Sequence, residues 1–157
     1  MKNAIKLIIS IAIPLAIGAL GSFFTIPGVK GWYQTINKPA WNPPNWIFAP
    51  VWTTLYVLMG IALYLVWKSG NSNKAKTIPL SFFTMQLGLN FLWSFIFFNQ
   101  HQIGWALVDI ILLWVFILLT IFSFSNINKT ASWLLVPYIV WVSFAMILNY
   151  TIWQLNK

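Results

Sequence analysis

Few residues of this chain could carry acid–base, nucleophilic or metal chemistry. Its 157 residues include one acidic residue, Asp109, one histidine, His101, and no cysteine. Paired carboxylates, a Ser-His-Asp set and a metal site are therefore excluded, because each needs more such side chains than the chain has. We expect His101, in a short polar turn, to be solvated, and Asp109 to have a structural role rather than to relay protons.

Polar and aromatic side chains at helical spacing are the next candidates. They form two stripes: Gln86, Asn90 and Trp93 at i, i+4 and i+7, and Trp141, Ala145 and Asn149 at i, i+4 and i+8. Inside a membrane such groups either join helices through hydrogen bonds, worth about 0.6–2 kcal/mol each, or line a ligand site. The first stripe fits either role. The alanine of the second stripe leaves a notch for a neighbouring helix or for the edge of a ligand.

Aromatic residues are abundant enough to form a binding site. The chain has 11 tryptophans, 13 phenylalanines and 5 tyrosines, more than the aromatic belts at the two membrane interfaces require. Part of this aromatic surface is expected to face inward, where with a few amides it suits a large, flat, apolar ligand. Tryptophan is also the one abundant residue here that can take part in light-driven or one-electron oxidation.

Membrane helices must position these residues. Hydrophobic residues make up 60% of the chain and charged residues 6%, against roughly 25% charged residues in soluble domains. Five apolar stretches have about the 20 residues that a helix needs to cross a bilayer: about 7–24, 48–67, 77–98, 103–124 and 131–154. We predict an all-α membrane protein in which residues 1–157 form one transmembrane domain, a bundle of five helices. In the first helix, Gly18 and Ser22 follow the small-residue spacing that lets helices pack closely.

The connection between the first two spans, residues 25–47, is too long for a simple turn. Connections beyond about 12–15 residues without secondary structure are uncommon and often functional. Trp32, Tyr33, Trp41 and Trp46 give this one apolar surface to bury, and its prolines restrict the backbone. We predict a semi-rigid aromatic lid over the outer end of the bundle. The alternative is that these aromatics only anchor the chain at the membrane interface.

The placement of the lysines predicts partners and orientation. The formal charge is +8, but the lysines lie between the apolar stretches, as membrane-flanking lysines do. We therefore expect the lipid bilayer, and no nucleic acid, as a partner. One end of the bundle carries Lys2, Lys6, Lys68, Lys74, Lys76 and Lys129, and the other carries Lys30, Lys38 and Lys157. The positive-inside rule then places the N-terminus in the cytoplasm and the C-terminus outside, with the first span retained rather than cleaved.

Sequence motifs in four parts of the chain resemble those of a known family. They are Trp32-Tyr33, Lys38–Pro44 and Pro50–Trp52 around the first loop, Gln86–Ser94 in the third span, Gly104–Asp109 in the fourth, and Pro137–Ala145, Leu148–Tyr150 and Trp153 in the fifth. In order and spacing they are similar to the motifs of the translocator protein or tryptophan-rich sensory protein (TspO/MBR) family, formerly the peripheral-type benzodiazepine receptor. The chain is identified as a bacterial member, expected in the cell membrane.

The resemblance implies a fold, ligands and site residues. It implies a five-helix bundle, often a homodimer, with a ligand pocket under the first loop and no required cofactor. The implied ligands are protoporphyrin IX and heme-type tetrapyrroles, isoquinoline carboxamide and benzodiazepine-type drugs and, in some members, sterols. The residues carried over from the family pocket are Tyr33, Pro43, Trp52, Asn90, Trp93, Trp141, Ala145 and Leu148. Trp52 and Trp141 match the tryptophans associated with porphyrin breakdown in bacterial members, so they are the candidate catalytic residues.

Three functions follow from the residues and the resemblance together. The first is a membrane receptor or sensor for porphyrins and related flat apolar ligands. The second is a light- or oxygen-dependent enzyme that degrades protoporphyrin. The third is a transporter of porphyrins or sterols, against which the scarcity of intramembrane charge argues. Sterol binding has less support, because the proposed cholesterol pattern fails here: six residues separate Tyr150 from Lys157.

Overall fold

A computed structural model describes all 157 residues of the chain as helices joined by short connections, without β-strands. Five helical segments are long and apolar enough to cross a membrane: Asn3–Thr35, Asn45–Trp67, Asn73–Asn99, Ile103–Ser125 and Lys129–Asn156. The predicted all-α bundle of five membrane-spanning helices is confirmed. The individual helices are α1 (Asn3–Lys30), α2 (Trp32–Thr35), α3 (Phe48–Trp67), α4 (Asn73–Ser94), α5 (Ile103–Ser125), α6 (Lys129–Leu134) and α7 (Val136–Asn156).

The first span is longer than the sequence predicted. The expected end near Phe24 was wrong, because α1 continues through Pro27 and Gly28 to Lys30. A proline removes only one helical hydrogen bond, and membrane helices tolerate that loss. Gly28 is needed for packing rather than for a turn, since a Cβ there would lie 2.7 Å from Phe98 Cβ. The helix ends at Gly31, whose N–H donates to the carbonyl of Pro27 at 3.0 Å.

The irregular part of the first connection is correspondingly shorter than the predicted lid of residues 25–47. After Gly31 the chain forms α2, and a short 3₁₀ turn at Asn45–Ile47 leads directly into α3. Within this connection, only Gly31 and residues 36–44 have no helical structure. Residues 36–44 contain Pro39, Pro43 and Pro44, which cannot donate backbone hydrogen bonds and so prevent a regular element.

The third and fifth spans also differ in detail from the predicted bounds. Helix α4 begins at Asn73 rather than near residue 77, because the Ser72 hydroxyl caps it by accepting from the Ala75 N–H at 3.1 Å. At its C-terminal end α4 continues as a π-helical turn, Phe95–Asn99. The fifth span is divided at Leu135 into α6 and α7, and Pro137 occupies the first turn of α7, where its missing N–H costs nothing.

Helix packing brings the predicted polar and aromatic stripes together. Helix α1 packs against α3 and α4, α4 packs against α5, and α5 packs against α7. The contact between α1 and α3 depends on small residues, because a Cβ on Gly60 would lie 2.5 Å from the Cα of Ile11. Gly18 similarly leaves room for the Tyr56 ring. The small-residue pattern in the first span is therefore an intramolecular seam.

Candidate ligand-binding site

A cavity of about 480 Å³ lies within the bundle, under the first connection. Its walls come from α1, α3, α4 and α7, and Tyr33 and Asn45 contribute at the end that lies next to the first connection. This volume is within the range of small-molecule sites, about 300–1,000 Å³. Seven of the eight residues implied by the family resemblance line it: Tyr33, Trp52, Asn90, Trp93, Trp141, Ala145 and Leu148.

Pro43, the eighth residue, does not line the cavity. It is half-buried within the irregular segment, where its carbonyl accepts from the Asn42 side chain at 3.4 Å. Asn42 also accepts a hydrogen bond from the Tyr33 hydroxyl at 2.8 Å. Pro43 therefore lies near Tyr33, which lines the cavity, without reaching the cavity itself.

A chain of buried hydrogen bonds crosses three helices beside the cavity. The Tyr56 hydroxyl donates to Asn90 Oδ1 at 2.8 Å, and Asn90 Nδ2 donates to the Tyr138 hydroxyl at 2.8 Å. Tyr138 in turn donates to Gln86 Oε1 at 2.6 Å. Gln86 therefore joins helices rather than facing a ligand. Asn90 does both, because its amide is fixed between two tyrosines while its side chain forms part of the cavity wall.

Trp93 presents its ring, rather than its indole N–H, to the cavity. Its Nε1 donates to Asn149 Oδ1 at 2.9 Å, and the Asn149 amide donates to the carbonyl of Ile103 at 3.0 Å. These bonds connect α4, α7 and the start of α5. The ring of Trp93 stacks on Phe97 at 5.0 Å between centroids, so its orientation is held from both sides.

Trp141 has the one indole N–H in the cavity wall that is buried without a partner. Its Nε1 has no hydrogen-bond acceptor, although the atom is inaccessible to solvent. A buried donor without a partner carries a desolvation cost of about 1–3 kcal/mol. Trp52, on α3, stacks on Tyr56 at 5.7 Å with 28° between the ring planes. The two candidate catalytic tryptophans thus line one cavity from different helices.

The sequence did not identify the part of the wall that α1 and the phenylalanines provide. These residues include Gly21, Ser22, Thr25, Phe97, Phe98 and Phe144. Small side chains on α1 leave the space that the cavity occupies, whereas the sequence pattern indicated only close packing. Tyr56 and Phe97 could have been found, since each lies one helical turn after a predicted site residue, Trp52 and Trp93 respectively.

Polar contacts hold the irregular segment, residues 36–44, against α2 and α7. Lys38 Nζ donates to the carbonyls of Tyr33 and Ile36, at 2.6 and 3.1 Å. Asn37 pairs with Asn156 at the end of α7: the Asn37 N–H donates to Asn156 Oδ1 at 2.9 Å, and Asn156 Nδ2 donates to the Asn37 carbonyl at 2.8 Å. The irregular segment is thus attached to α7 as well as to α2.

The four aromatic residues of the predicted lid, residues 25–47, are only partly buried. Tyr33 is buried, and Trp32 is half-buried with His101 stacked on it at 4.3 Å between ring centroids. Trp41 and Trp46 are 48% and 73% exposed. The prediction that these aromatics bury their apolar surface was therefore wrong for Trp41 and Trp46. The position of Trp46 at the start of the second span suits an interfacial anchor.

Similarity to known proteins identifies the family of this chain. Residues 10–154 match the TspO/MBR family profile. The chain belongs to the TspO/MBR family. It is 49% identical to the tryptophan-rich protein TspO of Archaeoglobus fulgidus, over 98% of this chain and 99% of that one. It is 46% identical to the tryptophan-rich protein TspO of Chlorobaculum tepidum, over 99% and 98% of the two chains.

The similarity extends to animals, since the chain is 43% identical to the human translocator protein over 88% of this chain and 85% of that protein. The family resemblance inferred from the sequence motifs is confirmed, and it covers nearly the whole chain. With five apolar helices, this TspO/MBR member is an integral, multi-pass membrane protein.

Proposed function

We propose that this TspO/MBR protein is a membrane receptor that binds protoporphyrin IX and related flat apolar ligands in the cavity under its first connection. The observation that carries the proposal is the cavity itself, about 480 Å³ in volume, with Trp52, Trp93 and Trp141 in its walls. Indole rings offer large flat apolar faces, which is the chemistry that a macrocyclic or polycyclic ligand requires. Isoquinoline carboxamide and benzodiazepine-type drugs have the same flat character.

The polar groups of the cavity match the polar edges of such ligands. Trp141 Nε1 is an unpaired donor beneath the cavity surface, and it would reach a ligand carbonyl or carboxylate after a turn of the indole ring. Lys30, at the end of α1, is exposed to solvent while also lining the cavity, and it is the only lysine to do so. Protoporphyrin carries two propionate groups on one edge of an apolar ring. The ring would lie among the tryptophans, with the propionates directed toward Lys30 at the rim.

Quenching of tryptophan fluorescence by protoporphyrin tests this site. We expect the double variant Trp52→Phe/Trp141→Phe to lose most of the saturable quenching, because both indoles line the cavity. The matched control is Trp46→Phe/Trp133→Phe, which removes two indoles that are 73% and 72% exposed and lie outside the cavity. Equal loss of quenching in the two double variants would contradict the proposed site.

A second function, light- or oxygen-dependent degradation of protoporphyrin, has one structural observation in its favour. Trp52 stacks on Tyr56, whose hydroxyl begins the hydrogen-bonded chain to Asn90 and Tyr138. Oxidisable side chains thus extend from the cavity wall into the core. Illumination of the purified protein with protoporphyrin in air tests it, with the porphyrin absorption band as the readout. Loss of the band no faster than with the Trp52→Phe/Trp141→Phe variant would count against turnover.

The orientation in the membrane belongs to the same proposal. The end of the bundle that holds the N-terminus has six lysines: Lys2, Lys6, Lys68, Lys74, Lys76 and Lys129. The end that holds the lid has three: Lys30, Lys38 and Lys157. The positive-inside rule then directs the lid and the cavity mouth away from the cytoplasm. A ligand would reach the receptor from outside the cell or from the outer leaflet.

A further inference from the structure

Asp109, the single acidic residue, is buried without any partner. Its side chain is 4% exposed, and neither carboxyl oxygen has a hydrogen-bond donor. Buried carboxyl groups normally have two or more donors, and an unpaired one within a membrane is costly. A structural role was expected for Asp109, yet the structure gives its carboxyl oxygens no hydrogen-bond partner. The carboxyl group is unexplained by the fold.

Asp109 also lines a groove that is separate from the proposed receptor cavity. This groove has a volume of about 480 Å³ and shares no lining residue with the cavity. Its two sides are stripes at helical spacing, Leu89, Leu92 and Ile96 on α4 and Trp105, Val108 and Leu112 on α5. Gln100 and Gln102 lie at its outer end. Asp109 is the only buried residue among the nine that line the groove. Both of its carboxyl oxygens lie just beneath the groove floor, so a ligand group reaches them only when the neighbouring side chains move apart.

The groove opens toward the lipid. Leu92, Trp105, Val108 and Leu112 are 41%, 68%, 47% and 47% exposed on the outer surface of the bundle. Asp109 is six residues into α5, which places it about 9 Å below the outer end of that helix, at 1.5 Å per residue. An amphiphile that follows the two apolar sides from the glutamines inward would bring a polar group to this depth.

The charge of the groove selects the ligand. None of the nine lysines lines it, so the carboxyl group is the only ionisable group in its wall. A phosphate or carboxylate head group would meet no positive charge there. A second copy of the chain has no suitable group either, because its lysines lie in the connections and at the ends of the spans. A protonated amine complements the carboxylate and provides the missing donors.

We propose that the groove between α4 and α5 is a second ligand site, which binds a lipophilic amine through its apolar chain and pairs the ammonium group with Asp109. Trp105 covers one side of the apolar chain. Occupation of this site does not depend on the receptor cavity, since different residues line the two.

The test uses dibromooctadecylamine as the probe and the full chain in phosphatidylcholine nanodiscs. Bromine quenches indole fluorescence at short range, so the readout is the part of the quenching that Trp105→Phe removes. We expect this part of the quenching to saturate as the amine is added. We expect Asp109→Asn to raise the mole fraction of amine at half-saturation by at least about tenfold. Dibromooctadecanol, which has no charge, should quench without saturation.

A matched pair of variants on α5 controls for folding and for partition into the bilayer. Val108→Phe fills the groove and should abolish saturation, whereas Val115→Phe, 40% exposed and outside the groove, should leave it unchanged. Unchanged half-saturation in Asp109→Asn or Val108→Phe would overturn the proposal, as would equal saturation by the alcohol. Displacement of the amine by protoporphyrin would also overturn it, because the amine would then occupy the receptor cavity. If the chain binds the amine as expected but protoporphyrin does not quench its tryptophan fluorescence, only the proposed receptor function is contradicted.

Discussion

Tyr138 holds the polar centre of the bundle together. It is 1% exposed, accepts from Asn90 and donates to Gln86, so its single hydroxyl completes bonds to two amides on α4. Both amides would lose a partner if the hydroxyl were absent, and neither could turn to water. The shape of the cavity wall at Asn90 therefore depends on a residue that does not line the cavity.

Removal of the Tyr138 hydroxyl should destabilise the protein. We expect Tyr138→Phe to lower the free energy of unfolding by about 1–3 kcal/mol, because it leaves buried amide groups unpaired. Reversible unfolding in mixed micelles gives the measurement. Tyr150→Phe is the control, since Tyr150 is 50% exposed and makes no side-chain hydrogen bond. A loss of stability no larger than in the control would show that the chain of bonds does not hold the helices together.

At the scale of single residues, the sequence predicted positions better than partners. Spacing placed Asn90, Trp93, Trp141 and Ala145 on common faces, and all four line the cavity. Spacing did not show that the Trp93 indole N–H is occupied by Asn149 while that of Trp141 is free. Hydrogen-bond partners come from different helices, so they depend on how the spans are arranged around one another.

Close packing of α1 on α3 determines one wall of the cavity. The backbones approach at Gly60, where a Cβ would lie 2.5 Å from Ile11 Cα and 2.8 Å from the Ser10 carbonyl oxygen. Backbone atoms cannot move aside as a flexible side chain can. The small residues that continue along α1 then leave space beside α3, which the cavity occupies.

A side chain at this contact should separate the two helices. We expect Gly60→Val to lower the free energy of unfolding by about 1–3 kcal/mol or more, as overpacking does. The control is Gly88→Ala on α4, where no atom lies within 4 Å of the added Cβ. Removal of a helical glycine at that open position should stabilise the chain by about 0.5–1 kcal/mol. Thermal unfolding compares the two, and equal melting temperatures would contradict the packing described for α1 and α3.

The attachment of the lid to α7 makes a separate prediction. Asn156→Ala removes both hydrogen bonds with the Asn37 backbone, at 2.9 and 2.8 Å. We expect faster amide hydrogen exchange across residues 36–44, with little change in melting temperature, because the lid is small and near the surface. Gln154→Ala on the same helix is the control. Unchanged exchange in Asn156→Ala would show that these two bonds do not hold the segment, which would then depend on Lys38, the flanking helices and the remaining bond from Asn37 Nδ2 to the Leu155 carbonyl at 3.3 Å.

At the scale of helices, the sequence predicted the number and order of the spans correctly but placed several ends wrongly. Hydropathy is a strong criterion for a span, because every backbone group in the bilayer must be paired internally. It is a weak criterion for helix ends. Pro27-Gly28 resembles a helix breaker, and only the tertiary contact of Gly28 with Phe98 shows why the helix continues to Lys30.

The placement of the lysines predicts the orientation of the whole bundle in the membrane. The chain contains no cysteine, so single-cysteine variants can report sidedness without background. We expect a membrane-impermeant maleimide to label Gln100→Cys on intact cells, and to label Ser72→Cys only after permeabilisation. Both positions are exposed, at opposite ends of α4. The reverse pattern would invert the proposed orientation.

The cavity under the lid is the feature on which the receptor proposal depends, and filling it tests that proposal most directly. Ala145 lines the cavity, whereas Ile147 lies on the same helix, is 57% exposed and does not line it. Equilibrium titration with protoporphyrin compares Ala145→Phe with Ile147→Phe. The proposal predicts that Ala145→Phe weakens binding by at least about tenfold, a free-energy change of about 1.4 kcal/mol, while Ile147→Phe binds as the original chain does. Equal affinities in the two variants would contradict the claim that protoporphyrin binds in this cavity.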